Sequence, residues 1–152
     1  PLQKFKCHNN LILVNLSVLL HKLQFIRKAY RIASASSTPA EAIAVITAIA
    51  ACRTPNTIPP LIEALSHHHP GVRAANYLHL VKLASLSLEP LISTYYTATD
   101  QGIQAHIIQA LAQIGDRRAI AVLEEVIGVS VANHYQGNVR RIAARGLGQI
   151  GS

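Results

Sequence analysis

Apolar residues recur along this chain at helical spacing, and the pattern itself recurs. Three segments superimpose: PGVRAANYLHLVKLA (70–84), QGIQAHIIQALAQIG (101–115) and GNVRRIAARGLGQIG (137–151). Val72, Ile103 and Val139 align, as do Leu80, Leu111 and Leu147, and then Leu83, Ile114 and Ile150. Within one copy, Ile103, Ile107, Ala110, Leu111 and Ile114 fall on one face of a 3.6-residue helix rather than alternating as in a strand. Upstream, Ile43, Ile46, Ile49 and Ala50 do the same, and Ile46 and Ile49 match Leu80 and Leu83.

Between these helices lies a second apolar element: TIPPLIEAL (57–65), LEPLISTYY (88–96) and AIAVLEEVI (119–127), with Leu61, Leu91 and Leu123 in register. Pro59, Pro60 and Pro90 are expected at the starts of their helices, where a missing N–H is tolerated. Gly115 is suited to end a helix in the left-handed conformation, and Asp116 to cap the next. The unit therefore reads helix, tight turn, helix, loop. The step from Val72 to Ile103 is 31 residues, and from Ile103 to Val139 it is 36. Such a period predicts an all-α fold, an α-solenoid of stacked antiparallel helix pairs in which no pair buries its apolar stripe alone. The abundant alanines favour helix and let helices approach closely. The longer second step places extra residues, VANHYQGN (131–138), ahead of the third copy.

Composition and charge divide the chain unevenly. The net charge is +7, but residues 1–40 hold six basic and no acidic residues, which leaves +1 over residues 41–152. Residues 1–37 therefore form a basic N-terminal segment with three readings: a helical cap on the solenoid edge, a targeting peptide, or an extension outside the native coding sequence. Residues 38–152 form the repeat domain. A chain without an initial Met, ending just after a repeat helix, is expected to be a fragment lacking its C-terminal cap. A nucleic-acid partner would rest on the N-terminal segment alone, so none is expected. The apolar run at 11–20 is too short to span a membrane. Cys7 and Cys52 make no disulfide framework, and Cys52, on an apolar helix, is expected to be a small buried residue.

Candidate chemistry is sparse. The run His67–His69 cannot point all its rings at one ion, so it reads as a polar turn between repeats, and no metal site is expected. His106 takes the slot of Ala75 and Ile142, which suits a packed or groove-facing ring. The NHYQGN stretch differs. It gathers an imidazole, a phenol, carboxamides and a glycine where a helix beginning NVRR should start, with Asn138 as its N-cap and Arg140 and Arg141 in its first turn. Cations there oppose the helix dipole, which suggests that they meet an acidic group. The plainer account is a capped loop whose arginines are solvated or pair with Glu124 or Glu125.

These residues carry a resemblance. The lines ALAQIGDRRAI (110–120) and NVRRIAARGLGQIG (138–151) resemble the HEAT-like repeats of the phycobilin lyase family of cyanobacteria, the E/F-type phycocyanobilin lyases, over residues 38–152. Asn133, His134, Gln136, Gly137 and Asn138 match the Asn-His-Cys-Gln-Gly-Asn motif of the phycoerythrocyanin-type lyase-isomerase, with Tyr135 in place of the cysteine. The resemblance implies a cytoplasmic photosynthetic protein that attaches an open-chain tetrapyrrole, a bilin such as phycocyanobilin, to a phycobiliprotein cysteine. It also implies a second HEAT-repeat subunit in a heterodimer. The tyrosine bears on isomerisation more than on attachment. His134 and Tyr135 are then the candidate catalytic residues, His134 for proton transfer and Tyr135 for stacking or hydrogen bonding. Asn133, Gln136, Asn138, Arg140 and Arg141 are the candidate bilin-binding residues, the arginines meeting propionates. The alternative is a non-catalytic HEAT-repeat scaffold that binds phycobiliprotein or other proteins, for instance in phycobilisome turnover.

Overall fold

The computed structural model describes residues 38–128 and 134–151, with the side chains of His134 and Tyr135 outside that description. The basic segment 1–37 and Asn133 also lie outside it. The α-helices in the described residues are α1 (Pro39–Ala51), α2 (Ile58–Glu63), α3 (Pro70–Lys82), α4 (Ala84–Thr97), α5 (Gln101–Ile114), α6 (Ile120–Gly128) and α7 (His134–Gly151). Short 3-10 turns fill Pro55–Thr57, Ala64–Ser66 and Arg117–Ala119, and no strand occurs among the described residues. Helices α1, α3, α5 and α7 pack in succession as one layer. Helices α2 and α4 pack together behind it, and α6 packs on α5 and α7. This is the all-α solenoid of helix pairs that the 31-residue period predicts.

Local chemistry explains most helix starts. The Thr38 hydroxyl accepts from the Glu41 amide at 3.4 Å, with Pro39 in the first turn. The His69 ring accepts from the Gly71 amide at 3.1 Å, ahead of Pro70. The Asp100 carboxylate accepts from the Ile103 amide at 2.9 Å, and Asp116 does the same for Arg118. The histidine run is thus a capping turn: the His67 ring accepts from the His69 amide, and Arg73 holds the His67 and His68 carbonyls. Gly115 ends α5 at φ 69, the left-handed region that favours glycine. After α1, Arg53 adopts φ 48 despite its Cβ.

The core follows the aligned positions. Leu61, Leu91 and Leu123 are fully buried, as are Leu80 and Leu111, with Ile46 close behind. Leu147 is only partly buried. Ser87 is buried because it replaces a loop: a single residue, Leu83, joins α3 to α4, and the Ser87 hydroxyl donates to the Leu80 carbonyl at 2.7 Å. Asn76 stands in the core slot of Ile107 and Ala143 and ties α3 to the Ala64 carbonyl at 3.4 Å.

Three expectations need correction. Pro90 does not open its helix; it lies inside α4, which begins at Ala84 because the one-residue turn lets the helix resume early. That removes one ladder bond from the interior of α4. Cys52 is exposed, since it follows the last turn of α1 as its C-cap. Asn138 is not the N-cap of the last helix. By repeat register α3 and α5 begin at the equivalents of Gly137, yet α7 begins at His134. No proline breaks HYQGN, so part of the insertion is an added helical turn, and α7 runs 18 residues against 13 and 14 for α3 and α5. Arg140 and Arg141 accordingly lie past the first turn, where the helix dipole has largely faded.

Candidate functional site

Helices α5 and α7 are close at one end and parted at the other. A Cβ on Gly146 would stand 2.6 Å from the Ala112 Cβ and 2.9 Å from its Cα, so only glycine permits this approach. Toward the start of the two helices a cleft of about 180 Å³ opens. Its walls are Gln101, Gln104, Ala105 and Ile108 of α5, Gln136, Val139 and Arg140 of α7, Tyr95 of α4 and Val126 of α6.

The α5 wall is fixed at its corner. The Gln104 carboxamide donates to the Tyr95 carbonyl at 3.3 Å and to the Ala98 carbonyl at 3.0 Å, tying the end of α4 to α5. Tyr95 and Tyr96 meet edge to face at 5.3 Å. Burial, then the Glu125 carboxylate and Tyr96, push the Tyr95 phenol above its ordinary range, so near neutral pH it remains an O–H donor.

The slot after Val72, Ile103 and Val139 shows what is distinctive about α7. Arg73 and Gln104 hold this slot in the earlier copies, and both commit their N–H groups to carbonyls of the preceding segment. Arg140 holds it in α7, and among the described residues no carboxylate makes an ion pair with it. Arg141 is engaged differently, donating to the Asn138 carboxamide at 2.9 Å in an exposed position. Of the plainer account's two outcomes, solvated arginines or arginines paired with Glu124 or Glu125, the pairing does not form among the described residues.

The structure thus brings Gln136 and Arg140 into one cleft, while Asn138 and Arg141 pair outside its walls. His134 and Tyr135 form the first turn of α7, one turn before Asn138 and Val139. Tyr95, Gln101 and Gln104 were not among the sequence candidates. The paired tyrosines ending LEPLISTYY, in a chain of five tyrosines, were the available signal.

A second hollow of about 580 Å³ lies between α2 and α4, walled by Pro59, Ile62, Pro90, Thr94 and Ile103 with Glu63 and Asp100. Among the described residues its wall has acids and no cation, so its chemistry does not suit an anion. Elsewhere His106 is half-buried, and burial, then the Arg73 charge, hold its pKa below the usual histidine value. No group of three or more metal-ligating side chains is gathered among the described residues. No described helix is long and apolar enough to cross a membrane.

Two stretches, residues 42–67 and 103–128, match the family described as PBS lyase HEAT-like repeat. Over 97 residues the chain is 60% identical to the Bilin biosynthesis protein PecF of Nostoc sp. (strain PCC 7120), which covers 64% of this chain and 56% of that protein. Over 119 residues it is 54% identical to PecF of Mastigocladus laminosus, covering 76% of this chain and 56% of that protein. The chain belongs to the HEAT-repeat phycobilin lyase family. A further relative, the Phycocyanobilin lyase subunit beta of Pseudanabaena tenuis, is 40% identical over 106 residues, 67% of this chain and 34% of its own. The chain spans about half the length of the two PecF proteins. In this chain the cleft combines Arg140, the side chain of its repeat slot that makes no bond to a backbone carbonyl among the described residues, with carboxamides and a phenol.

Proposed function

We propose that this protein is a phycobilin lyase subunit that holds an open-chain tetrapyrrole and presents it to a phycobiliprotein cysteine. The observation that carries this reading is the added turn of α7, which bears most of the His134–Asn138 match and sets Gln136 and Arg140 into the cleft. The cleft fits a bilin: a guanidinium for a propionate, a phenol for a pyrrole edge, and apolar walls from Ile108, Val126 and Val139 for ring faces. Thiol addition to a conjugated tetrapyrrole is intrinsically feasible, so the scaffold contributes mainly orientation and stereochemical control. His134 is the group for moving a proton near neutral pH. Asn138 and Arg141, bonded to each other outside the cleft walls, support the segment rather than grip the ligand, and Tyr135 replaces the thiol that the related motif uses.

The partners in this reading are a phycobiliprotein subunit and a second HEAT-repeat lyase subunit, in the cytoplasm of a cyanobacterium. Relatives are named as lyase beta subunits, which supports a two-chain enzyme. Co-expression with a bilin source, a phycobiliprotein subunit and the second lyase chain tests it. The expected result is a covalent adduct that survives acid denaturation and is lost or slowed with His134→Ala. Unchanged adduct yield in the absence of this chain contradicts the reading. Tyr135→Cys is expected to add a blue-shifted, isomerised product to the ordinary adduct.

A further inference from the structure

We propose that the α5–α7 cleft is the seat of a single carboxylate-bearing pyrrole ring, with the remainder of the open-chain tetrapyrrole lying outside it. This inference rests on the bilin reading above and gives it a location and a division of labour. At about 180 Å³ the cleft is smaller than the roughly 300–1,000 Å³ of pockets that enclose a whole drug-sized ligand.

The residues assign the orientation. Among the described residues Arg140 is the one cation in the wall, and it sits in a slot whose occupants elsewhere, Arg73 and Gln104, are already committed to backbone carbonyls. With no carboxylate paired to it among the described residues, it is the natural seat for the carboxylate. Tyr95 and Gln104 are positioning residues on the opposite side. Gln104 pins the Tyr95 backbone, and the neutral phenol offers a ring face and an O–H where an anionic side chain would repel the ligand. Ile108, Val126 and Val139 supply the apolar walls that a pyrrole ring needs. Arg141, next to Arg140 in sequence and equally basic, is instead bonded to Asn138 outside the walls.

Nuclear magnetic resonance with 3-(pyrrol-3-yl)propionic acid as probe tests the seat. The expected shifts fall on the backbone amides of Gln101, Gln104, Ala105 and Arg140. 3-Propylpyrrole, which lacks the acid, should bind at least about tenfold more weakly. Arg140→Gln should reduce the affinity for the acid by a similar factor, and Arg141→Gln should leave it unchanged. Biliverdin should displace the monopyrrole one for one, whereas its dimethyl ester should compete poorly. Biliverdin that binds without displacing the monopyrrole, or shifts confined to residues away from the cleft, overturns the seat. Tyr95→Phe keeps the ring and should retain most of the affinity, while Tyr95→Ala should lose it; equal affinity for the two overturns the role of Tyr95. Two failures are separable. If bilin transfer proceeds normally with Arg140→Gln and the monopyrrole does not bind, the seat is wrong and the lyase reading stands. If the monopyrrole binds as described and no adduct forms with every partner supplied, the lyase reading is wrong and the cleft remains a carboxylate seat.

Discussion

Helices α5 and α7 are copies of one another that the molecule uses in different ways. On α5 the aligned positions Ile107, Ala110 and Leu111 are all fully buried. On α7 the same positions are Ala143, Gly146 and Leu147, smaller overall, and Leu147 stays partly exposed. The small pair lets α7 close onto Ala112 at one end. The added turn, with Gln136, Val139 and Arg140, lines the opening at the other. A repeat that spends fewer apolar side chains on stacking is therefore the one that leaves a polar cleft. The polar cleft opens where the periodicity is broken, and the regular copies hold it in place.

The comparison breaks most visibly at its aligned leucines. Leu111→Ala is expected to destabilise by about 2–5 kcal/mol in urea unfolding. Leu147→Ala should cost clearly less, about 1–2 kcal/mol, because less of its side chain leaves water on folding. Equal losses would show that α7 is core to the same degree as α5.

The glycines of α7 sharpen it. Gly146→Ala forces a methyl against Ala112 and should cost about 1–3 kcal/mol as α7 is pushed off α5, with altered ligand binding in the cleft. Gly148→Ala meets nothing within 4 Å and should instead stabilise by up to about 1 kcal/mol through helix propensity. Thermal unfolding of the two variants reads the difference, and matching shifts of the same sign would contradict the close approach.

Acidity supplies a weaker handle. His106 on α5 has a lowered pKa from burial and then the Arg73 charge, opposed by Gln109 and Asp100, whereas α7 carries Ile142 in that slot. A depressed histidine pKa means that the unfolded chain takes up its proton first. Stability is therefore full above about pH 6.5 and falls as pH drops from there toward the folded value. His79 and His67, also lowered chiefly by burial, act in the same direction. His106→Gln should flatten part of the loss in melting temperature between pH 7.5 and 5.5, and an unchanged slope would show that the ring titrates freely. The smallest effect is expected at Arg53→Gly, where relief of the left-handed backbone is offset by chain entropy, leaving a gain of up to about 1 kcal/mol in urea unfolding.

Much of the fold was legible in the sequence because stacking repeats impose the same burial at the same register. Leu61, Leu91 and Leu123 illustrate this, as do the Gly115 turn and the Asp116 cap. Pro90 and Cys52 were misread for local reasons that no periodicity reports: a one-residue turn at Leu83, and a helix that ends one position early. The site was half legible. Gln136 and Arg140 stood out as polar residues beside an insertion. The N-cap assignment of Asn138 failed because HYQGN lacks a helix breaker, and the helix extended through it. Tyr95 was signalled only by its pairing with Tyr96, and Gln104 by nothing in the pattern. Their place in the cleft depends on how the α4–α5 corner meets α7, a contact between segments far apart in sequence.

The most direct test of the account sets the two neighbouring arginines against each other in a full attachment assay. The initial rate of covalent bilin transfer to the phycobiliprotein subunit would be measured against bilin concentration for Arg140→Gln and Arg141→Gln. The account predicts that Arg140→Gln raises the bilin concentration for half-maximal rate at least about tenfold while Arg141→Gln stays close to the parent chain. Loss of transfer with Arg141→Gln and none with Arg140→Gln would contradict it.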